Sequence, residues 1–182
     1  MKLFRKNKKR TWLDKTINTI LIIVIFFIVL PQSFELPVRG MKKSDYNQNS
    51  YWHYPWGTSG THKGVDIFGK EGTDIIAPVR GFTFKTGSGG KAGNYVIILG
   101  PKLRFHYFAH LKSIHTKVGD WNSIGDKIGT LGATGNAAGK PPHLHYAIVT
   151  WIPHFWRIDQ EPQGYRKMFF LNPIDYLNEC YP

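Results

Sequence analysis

Three short stretches of this chain hold residues that could do metal-assisted chemistry. The first reads Thr61-His62-Lys63-Gly64-Val65-Asp66, the second Tyr107-Phe108-Ala109-His110-Leu111, and the third Pro142-His143-Leu144-His145-Tyr146. Zinc accepts imidazole nitrogen and carboxylate oxygen, and a catalytic zinc site takes three protein ligands and leaves the fourth position to water. Two histidines and one carboxylate from these stretches satisfy that count. Two further histidines then remain beside the metal, where they could accept or donate protons.

Strands and turns must position these side chains. Side chains at i and i+2 of a strand point to the same face. His143 and His145 therefore project side by side, so that one can bind metal while its neighbour faces a substrate. Residues 144–150 are rich in β-branched and aromatic types, which favours a strand there. His62 and Asp66 are four apart, a spacing that also suits a helix. Gly64 between them, followed by Val65, Ile67 and Phe68, argues instead for a turn running into a strand. His106, Phe108 and His110 would share one strand face. His53, His115 and His154 stand outside the three motifs and are expected to be structural or exposed.

Taken together, the stretches resemble the lysostaphin-type zinc metalloendopeptidases, which cut the peptide part of bacterial peptidoglycan. His62 and Asp66 match that family's His-x-x-x-Asp, His143 and His145 its His-x-His, and Phe108 to Leu111 its aromatic-Ala-His-Leu box. The filler is also similar: Gly72-Thr73-Asp74-Ile75-Ile76-Ala77-Pro78, Gly93-Asn94-Tyr95-Val96-Ile97-Ile98, Val118-Gly119-Asp120 and Ile128-Gly129-Thr130-Leu131-Gly132-Ala133-Thr134-Gly135. The closing Asn172-Pro173-Ile174-Asp175-Tyr176-Leu177 resembles the usual end of such domains. The resemblance covers residues 52–150 and that tail. It implies that His62, Asp66 and His145 hold one zinc ion per domain, and that His110 and His143 are catalytic. It also implies two antiparallel sheets with the metal at the floor of a groove. Zinc there would polarise the scissile carbonyl and lower the pKa of a bound water to about 7. Two departures stand out. Ala147 occupies a place where the family often has Glu, and the stretch 150–171 is longer than the usual connection. That stretch is rich in aromatics (Trp151, Phe155, Trp156, Tyr165, Phe169 and Phe170), for which packing against the sandwich is the expectation.

Composition agrees with one packed β domain. The chain has 182 residues, 42% of them hydrophobic, so residues 51–182 can bury a core. Short apolar runs separated by glycine turns, with no amphipathic helical period of useful length, predict an all-β two-sheet sandwich over that span. The glycine-rich loops 87–90 and 132–139 would allow a peptide close to the metal, or simply make turns. The single cysteine, Cys180, excludes an internal disulfide.

The beginning of the chain sets the expected compartment. Residues 1–15 hold seven basic residues (Lys2, Arg5, Lys6, Lys8, Lys9, Arg10, Lys15) and one acid, Asp14, and an apolar run follows over 17–30. Fourteen helical residues span only about 21 Å, short of a hydrocarbon core of about 30 Å. Starting the helix at Trp12 and letting Lys15 snorkel makes it long enough. A cleavable signal peptide is the alternative, but residues 31–35 lack a small-x-small cleavage site. The expected organisation is a basic cytoplasmic tail (1–15), a transmembrane anchor (16–31), a polar linker (32–50) and the peptidase domain (51–182). Basic residues stay on the cytoplasmic side, so the domain is exported to the periplasmic or extracellular side of the cell membrane.

Half of the formal charge of +12 lies in the first fifteen residues. The rest suits an anionic cell-wall polymer, and an exported zinc site argues against nucleic acid as partner. The expected activity is zinc-dependent hydrolysis of peptidoglycan peptide bonds. The alternatives are a non-catalytic member that binds cell-wall machinery and activates another hydrolase, and a metallopeptidase acting on exported proteins.

Overall fold

The structure is a computed structural model in which residues 12–181 are described. Among these, ten strands carry the domain: β1 Val65–Phe68, β2 Asp74–Ile76, β3 Gly81–Gly87, β4 Asn94–Gly100, β5 Arg104–Leu111, β6 Ser113–Ile114, β7 Trp121–Asn122, β8 Lys127–Thr130, β9 His143–Thr150 and β10 Phe170–Leu171. Seven form one antiparallel sheet in the order β1-β9-β5-β4-β3-β7, with β10 also pairing β9. The other three form a small sheet ordered β2-β8-β6. The fold is the all-β, two-sheet sandwich expected from the sequence.

Strand alternation explains how the sheets meet. Along β4, Val96 and Ile98 are fully buried, whereas Tyr95, Ile97 and Leu99 on the other face are half-buried. The inner face continues through Ile67, Phe108, Leu144, Tyr146 and Ile148 and packs on Ile75 and Ile128 of the small sheet. Each such side chain contributes about 1.5–3 kcal/mol when fully buried. The outer face is read from the ladder, because residues directly paired across antiparallel strands share a face. Asp66 pairs with His145, and His145 with Ala109; farther along, Phe105 pairs with both Val149 and Leu99. The proposed site residues therefore stand at one end of the open face of the large sheet.

Two α-helices among the described residues flank this framework. The helix α1, Trp12–Val29, contains the apolar run, and its side chains are mostly exposed. The short helix α2, Pro173–Glu179, closes the domain, a departure from the expected absence of helices. It is too short to show a helical period. Its start is nevertheless written in Asn172, whose Oδ1 accepts from the Ile174 amide at 3.1 Å, and in Pro173 at the first helical position. Ile174 and Leu177 of α2 are buried in the core.

Residues 32–50, expected as a polar linker, instead form a strap packed on the domain. Val38, Met41 and Tyr46 are buried in the main core. Val38 bridges to Ile75 and Tyr46 to Ile67, which covers the free edges of β2 and β1. Polarity misled here because the apolar residues of the strap are widely spaced. The stretch 150–171 departs in the opposite sense. Its aromatics were expected to pack on the sandwich, yet Trp151 is 67% exposed, Phe155 65% and Trp156 78%. Phe170 does pack as expected, on β10 beside β9 with its ring 5.8 Å from that of Trp52, whereas Trp151 lies against Phe105 on the open face of the large sheet.

Candidate metal centre

Local backbone geometry places each side chain of the site. Gly64 turns the chain into β1, and it sits where a Cβ would come within 2.5 Å of the Tyr146 carbonyl and 3.0 Å of the His145 ring. A side chain at that position would push β1 away from β9. With glycine there, Asp66 and His145 come directly opposite each other on the ladder.

Three donor atoms converge. Asp66 Oδ1 lies 2.8 Å from His145 Nδ1 and 3.1 Å from His62 Nε2, and the two imidazole nitrogens are 3.1 Å apart. His62 Nδ1 lies 2.9 Å from the Ser50 carbonyl. A carbonyl only accepts, so that nitrogen carries the proton and Nε2 presents a lone pair to the cluster. The atoms can be bridged by the Nδ1 proton of a neutral His145 or by a metal ion. Two imidazole nitrogens and a carboxylate oxygen are donors that zinc takes, and here all three lie within 4.8 Å of one another. The residues present therefore fit a zinc ion, and His62, Asp66 and His145 are the ones that could hold it. Burial works to raise the Asp66 carboxyl, but the His145 and His62 nitrogens against it prevail and hold it well below the usual carboxylate range. The group is thus an anion ready for a cation.

His110 and His143 stand beside this cluster, their rings 5.0 Å apart. The ring of His110 is 6.1 Å from that of His145, and His143 Nε2 is 4.0 Å from Asp66 Oδ2. Each is oriented by a backbone carbonyl. His110 Nδ1 donates to Thr134 at 2.9 Å, and His143 Nδ1 donates to Pro141 at 2.8 Å. In each ring Nε2 is the nitrogen not taken by that hydrogen bond. Burial and the neighbouring His143 and His145 push the His110 imidazole down to about 4, so it is neutral at pH 7.

The expectation that His106, Phe108 and His110 share a face is corrected by a β-bulge. The register of β4 and β5 shifts between the pairs Asn94↔Leu111 and Val96↔Phe108, so that Ala109 and His110 together oppose Tyr95. His110 takes a left-handed conformation (φ 66°) in this bulge. The alternation is thereby reset: Phe108 faces the core, and His110 swings onto the outer face beside His143. His106 stays inside, fully buried, with Nδ1 2.6 Å from the Tyr146 hydroxyl. His53 and His115 are exposed and His154 is half-buried, in agreement with the motif argument.

Other participants left weaker traces in the sequence. Trp56 stacks on His62 with ring centroids 4.2 Å apart and an interplanar angle of 27°. It reaches that ring through an irregular loop, so no periodicity signals the contact. Thr134 orients His110 with its carbonyl, and its hydroxyl donates to Leu111 O and accepts from Asn94 N. It belongs to the glycine-flanked run around residue 132, which reaches the site by packing against 91–93. There Gly93, itself at positive φ (62°), leaves space that a Cβ would fill at 2.1 Å from the Thr134 hydroxyl. The backbone carbonyls of Ser50 and Pro141 carry no side-chain signal at all.

Comparison with known proteins identifies the family. The family model described as Peptidase family M23 matches residues 60–155. The L-Ala–D-Glu endopeptidase of Bacillus subtilis (strain 168) is 34% identical over 125 residues, 64% of this chain and 37% of that protein. The peptidoglycan DD-endopeptidase ShyA of Vibrio cholerae is 35% identical over 88 residues, 48% of this chain and 20% of that protein. Among solved structures, the catalytic domain of the antimicrobial peptidase lysostaphin from Staphylococcus simulans aligns with a TM-score of 0.51 and 32% identity, covering 55% of this chain and 76% of that one. The matched stretch thus spans little more than a third of the first relative's length and a fifth of the second's.

Proposed function

We propose, from the premise that this chain belongs to peptidase family M23, that it is a zinc-dependent endopeptidase cutting peptide bonds of peptidoglycan. The observation that carries the proposal is the convergence of His62 Nε2, Asp66 Oδ1 and His145 Nδ1 beside two histidines held through Nδ1 by backbone carbonyls. When bound, zinc supplies a Lewis acid to the scissile carbonyl and to an attacking water.

The chain's own residues do the rest. Asp66 and the two ligand imidazoles bring the charge and lone pairs that fix the ion at the end of the open sheet face. His143 and His110 accept the water proton, steady the tetrahedral oxyanion and deliver a proton to the leaving amine. Their Nδ1–H groups stay hydrogen-bonded to the backbone carbonyls of Thr134 and Pro141, so each ring works through Nε2 alone. Peptidoglycan as substrate is supported by the relative named for it and by the net charge of +6 that remains outside the first fifteen residues, which favours an anionic polymer. In the same proposal α1 anchors the chain in the cell membrane. Its 18 residues have a mean hydropathy of 2.0. At the helical rise they reach about 27 Å, close to the thickness of a hydrocarbon core. The domain then stands on the exported side. The basic residues before Trp12 that would orient it lie outside the described residues.

The test pairs metal analysis with digestion of purified peptidoglycan from several wall types, followed by mass analysis of the fragments. About one zinc per chain is expected, lost on changing His62, Asp66 or His145 to Ala, together with discrete peptide cleavage products. Full zinc occupancy in two of those three variants would remove the ligand assignment. Zinc without cleavage of any wall type would favour a non-catalytic activator.

A further inference from the structure

The aromatic stretch after β9 has no role in the proposed hydrolysis, and its position in the fold points to one. On the open face of the large sheet, Phe105 lies 5.1 Å from Phe84 and 6.3 Å from Trp151, measured between ring centroids. Phe82, which precedes Phe84 on β3, packs edge-on against Trp121 at 4.7 Å. Beyond Trp151, the chain presents Phe155 and Trp156 to solvent. These side chains occupy the end of the sheet opposite the metal centre, because β9 runs from His143 at the site to Thr150 here. Contiguous exposed apolar surface of this kind marks a contact site.

The same end of the sheet receives the last turn of α1. Phe27 lies 6.4 Å from Phe82, and Lys102 Nζ donates to the Ile28 carbonyl at 2.6 Å. Ile28 and Gln32 line one cleft with Lys102, Arg104, Ile152 and His154. Arg104 also donates to Gln32 Oε1 at 2.6 Å, just past the end of the helix. The exit point of the apolar helix is therefore locked to the aromatic patch, and the packed strap prevents the domain from swinging away. Side chains held at the exit point of a membrane span lie at the level of the lipid headgroups. Tryptophan is the residue enriched there, with its apolar ring and polar N–H. Lys102, exposed beside the last turn of α1, adds positive charge at the same place, complementary to lipid phosphates.

We propose that the patch formed by Phe82, Trp121, Trp151, Phe155 and Trp156 rests in the headgroup layer of the bilayer that α1 crosses. The proposal depends on the anchoring role given to α1 above. The domain then stands on the membrane in a fixed orientation with its sheet strands rising from the surface. The strand path from Trp151 back to His145 sets the metal centre roughly 20 Å above the patch. Hydrolysis is thereby confined to wall peptides in the layer next to the membrane.

Full-length protein in vesicles of phosphatidylethanolamine and phosphatidylglycerol tests this. In a Cys180→Ser background, a nitroxide label is placed by Trp156→Cys in the patch, by Ile22→Cys within α1, or by Lys140→Cys near the site as an aqueous reference. Accessibility to oxygen and to a water-soluble nickel chelate is then compared. The label at 156 is expected at headgroup depth, several-fold less accessible to nickel than the label at 140 and shallower than the label at 22. A label at 156 as open to nickel as that at 140, with the label at 22 buried, overturns the proposal and leaves the anchor standing. A water-accessible label at 22 removes the anchor and the proposal together. Shielding at 156 that develops only when peptidoglycan is added also overturns it, and assigns the patch to substrate instead. Thermal melts matching the unlabelled protein show that these exposed substitutions leave the fold intact.

Discussion

His110 is a non-glycine residue held at φ 66°. That conformation costs an L-residue about 1–2 kcal/mol, and its neighbours hold it there. Its amide donates to Ala92 O at 2.9 Å and its ring to Thr134 O. Changing either His110 or His143 to Ala is expected to lower turnover about 10²–10⁴-fold while zinc content stays near one per chain. His106→Ala, by contrast, should lower stability and leave turnover per folded molecule nearly unchanged. Loss of activity in folded, zinc-loaded His106→Ala, with His110→Ala active, would show that the wrong histidine of β5 has been chosen. His106 also makes the fold sensitive to acid. Burial first, and then the nearby Arg104, push its imidazole down to about 3 from an ordinary 6.5. The unfolded chain therefore binds a proton that the folded chain refuses. This contribution to stability is complete above about pH 6.5 and is lost progressively as pH falls toward about 3, on the order of 4–5 kcal/mol at full development. Denaturant melts of metal-free protein should show His106→Gln with a shallower decline between pH 6.5 and 4 than the parent. Identical slopes would mean that His106 is not the group responsible.

At the scale of elements, the strap decides how α1 and the domain are joined. A free coil of about twenty residues would have a root-mean-square span of about 25 Å. The strap lacks that freedom, because Val38, Met41 and Tyr46 are buried and its backbone bonds to the domain, as in Ile76 N to Pro37 O at 2.9 Å. Tyr46 adds a hydroxyl bond to Asn178 of α2 at 2.9 Å, which ties the strap to the far end of the chain. Val38→Ala should cost about 1.5–3 kcal/mol through lost burial and the cavity left behind. A chemical-denaturation midpoint unchanged by that substitution would show that residues 32–50 are a free linker after all. The bulge in β5 acts at the same scale, since a single extra residue moves His110 across the sheet.

At the scale of the whole molecule, the apolar helix and the candidate metal centre lie at opposite ends of the large sheet, so the proposed anchoring and the proposed hydrolysis would be separated along the strands. The chain is expected to fractionate with membranes, with the domain open to protease only from the exported side. N-terminal sequencing should find α1 retained in the mature protein. A soluble exported form beginning between residues 31 and 50 would show that α1 is a cleaved signal peptide. Such a form would keep most of the strap, and so its fold, while losing the membrane contact.

Residue types and their local periods were enough for much of this protein. The three motifs single out His62, Asp66, His110, His143 and His145 as candidates by their resemblance to the family's pattern, and their residue types suit a metal site. The short glycine-punctuated apolar runs identify an all-β sandwich, because period-two alternation records which face is buried. The apolar run before Pro31 identifies α1 by hydropathy alone. What tertiary structure decided has no local period. The bulge that sends His110 to the site and His106 to the core depends on a register set between β4 and β5. Trp56 on His62, and the carbonyls of Ser50, Thr134 and Pro141, meet the site only through loops brought from elsewhere in the chain. The strap looked polar because its few buried residues are widely spaced, and the stretch 150–171 looked like core because it is aromatic. Burial is settled by contacts between segments distant in the chain, as between Phe170 and Trp52, and those contacts are not encoded in any one segment.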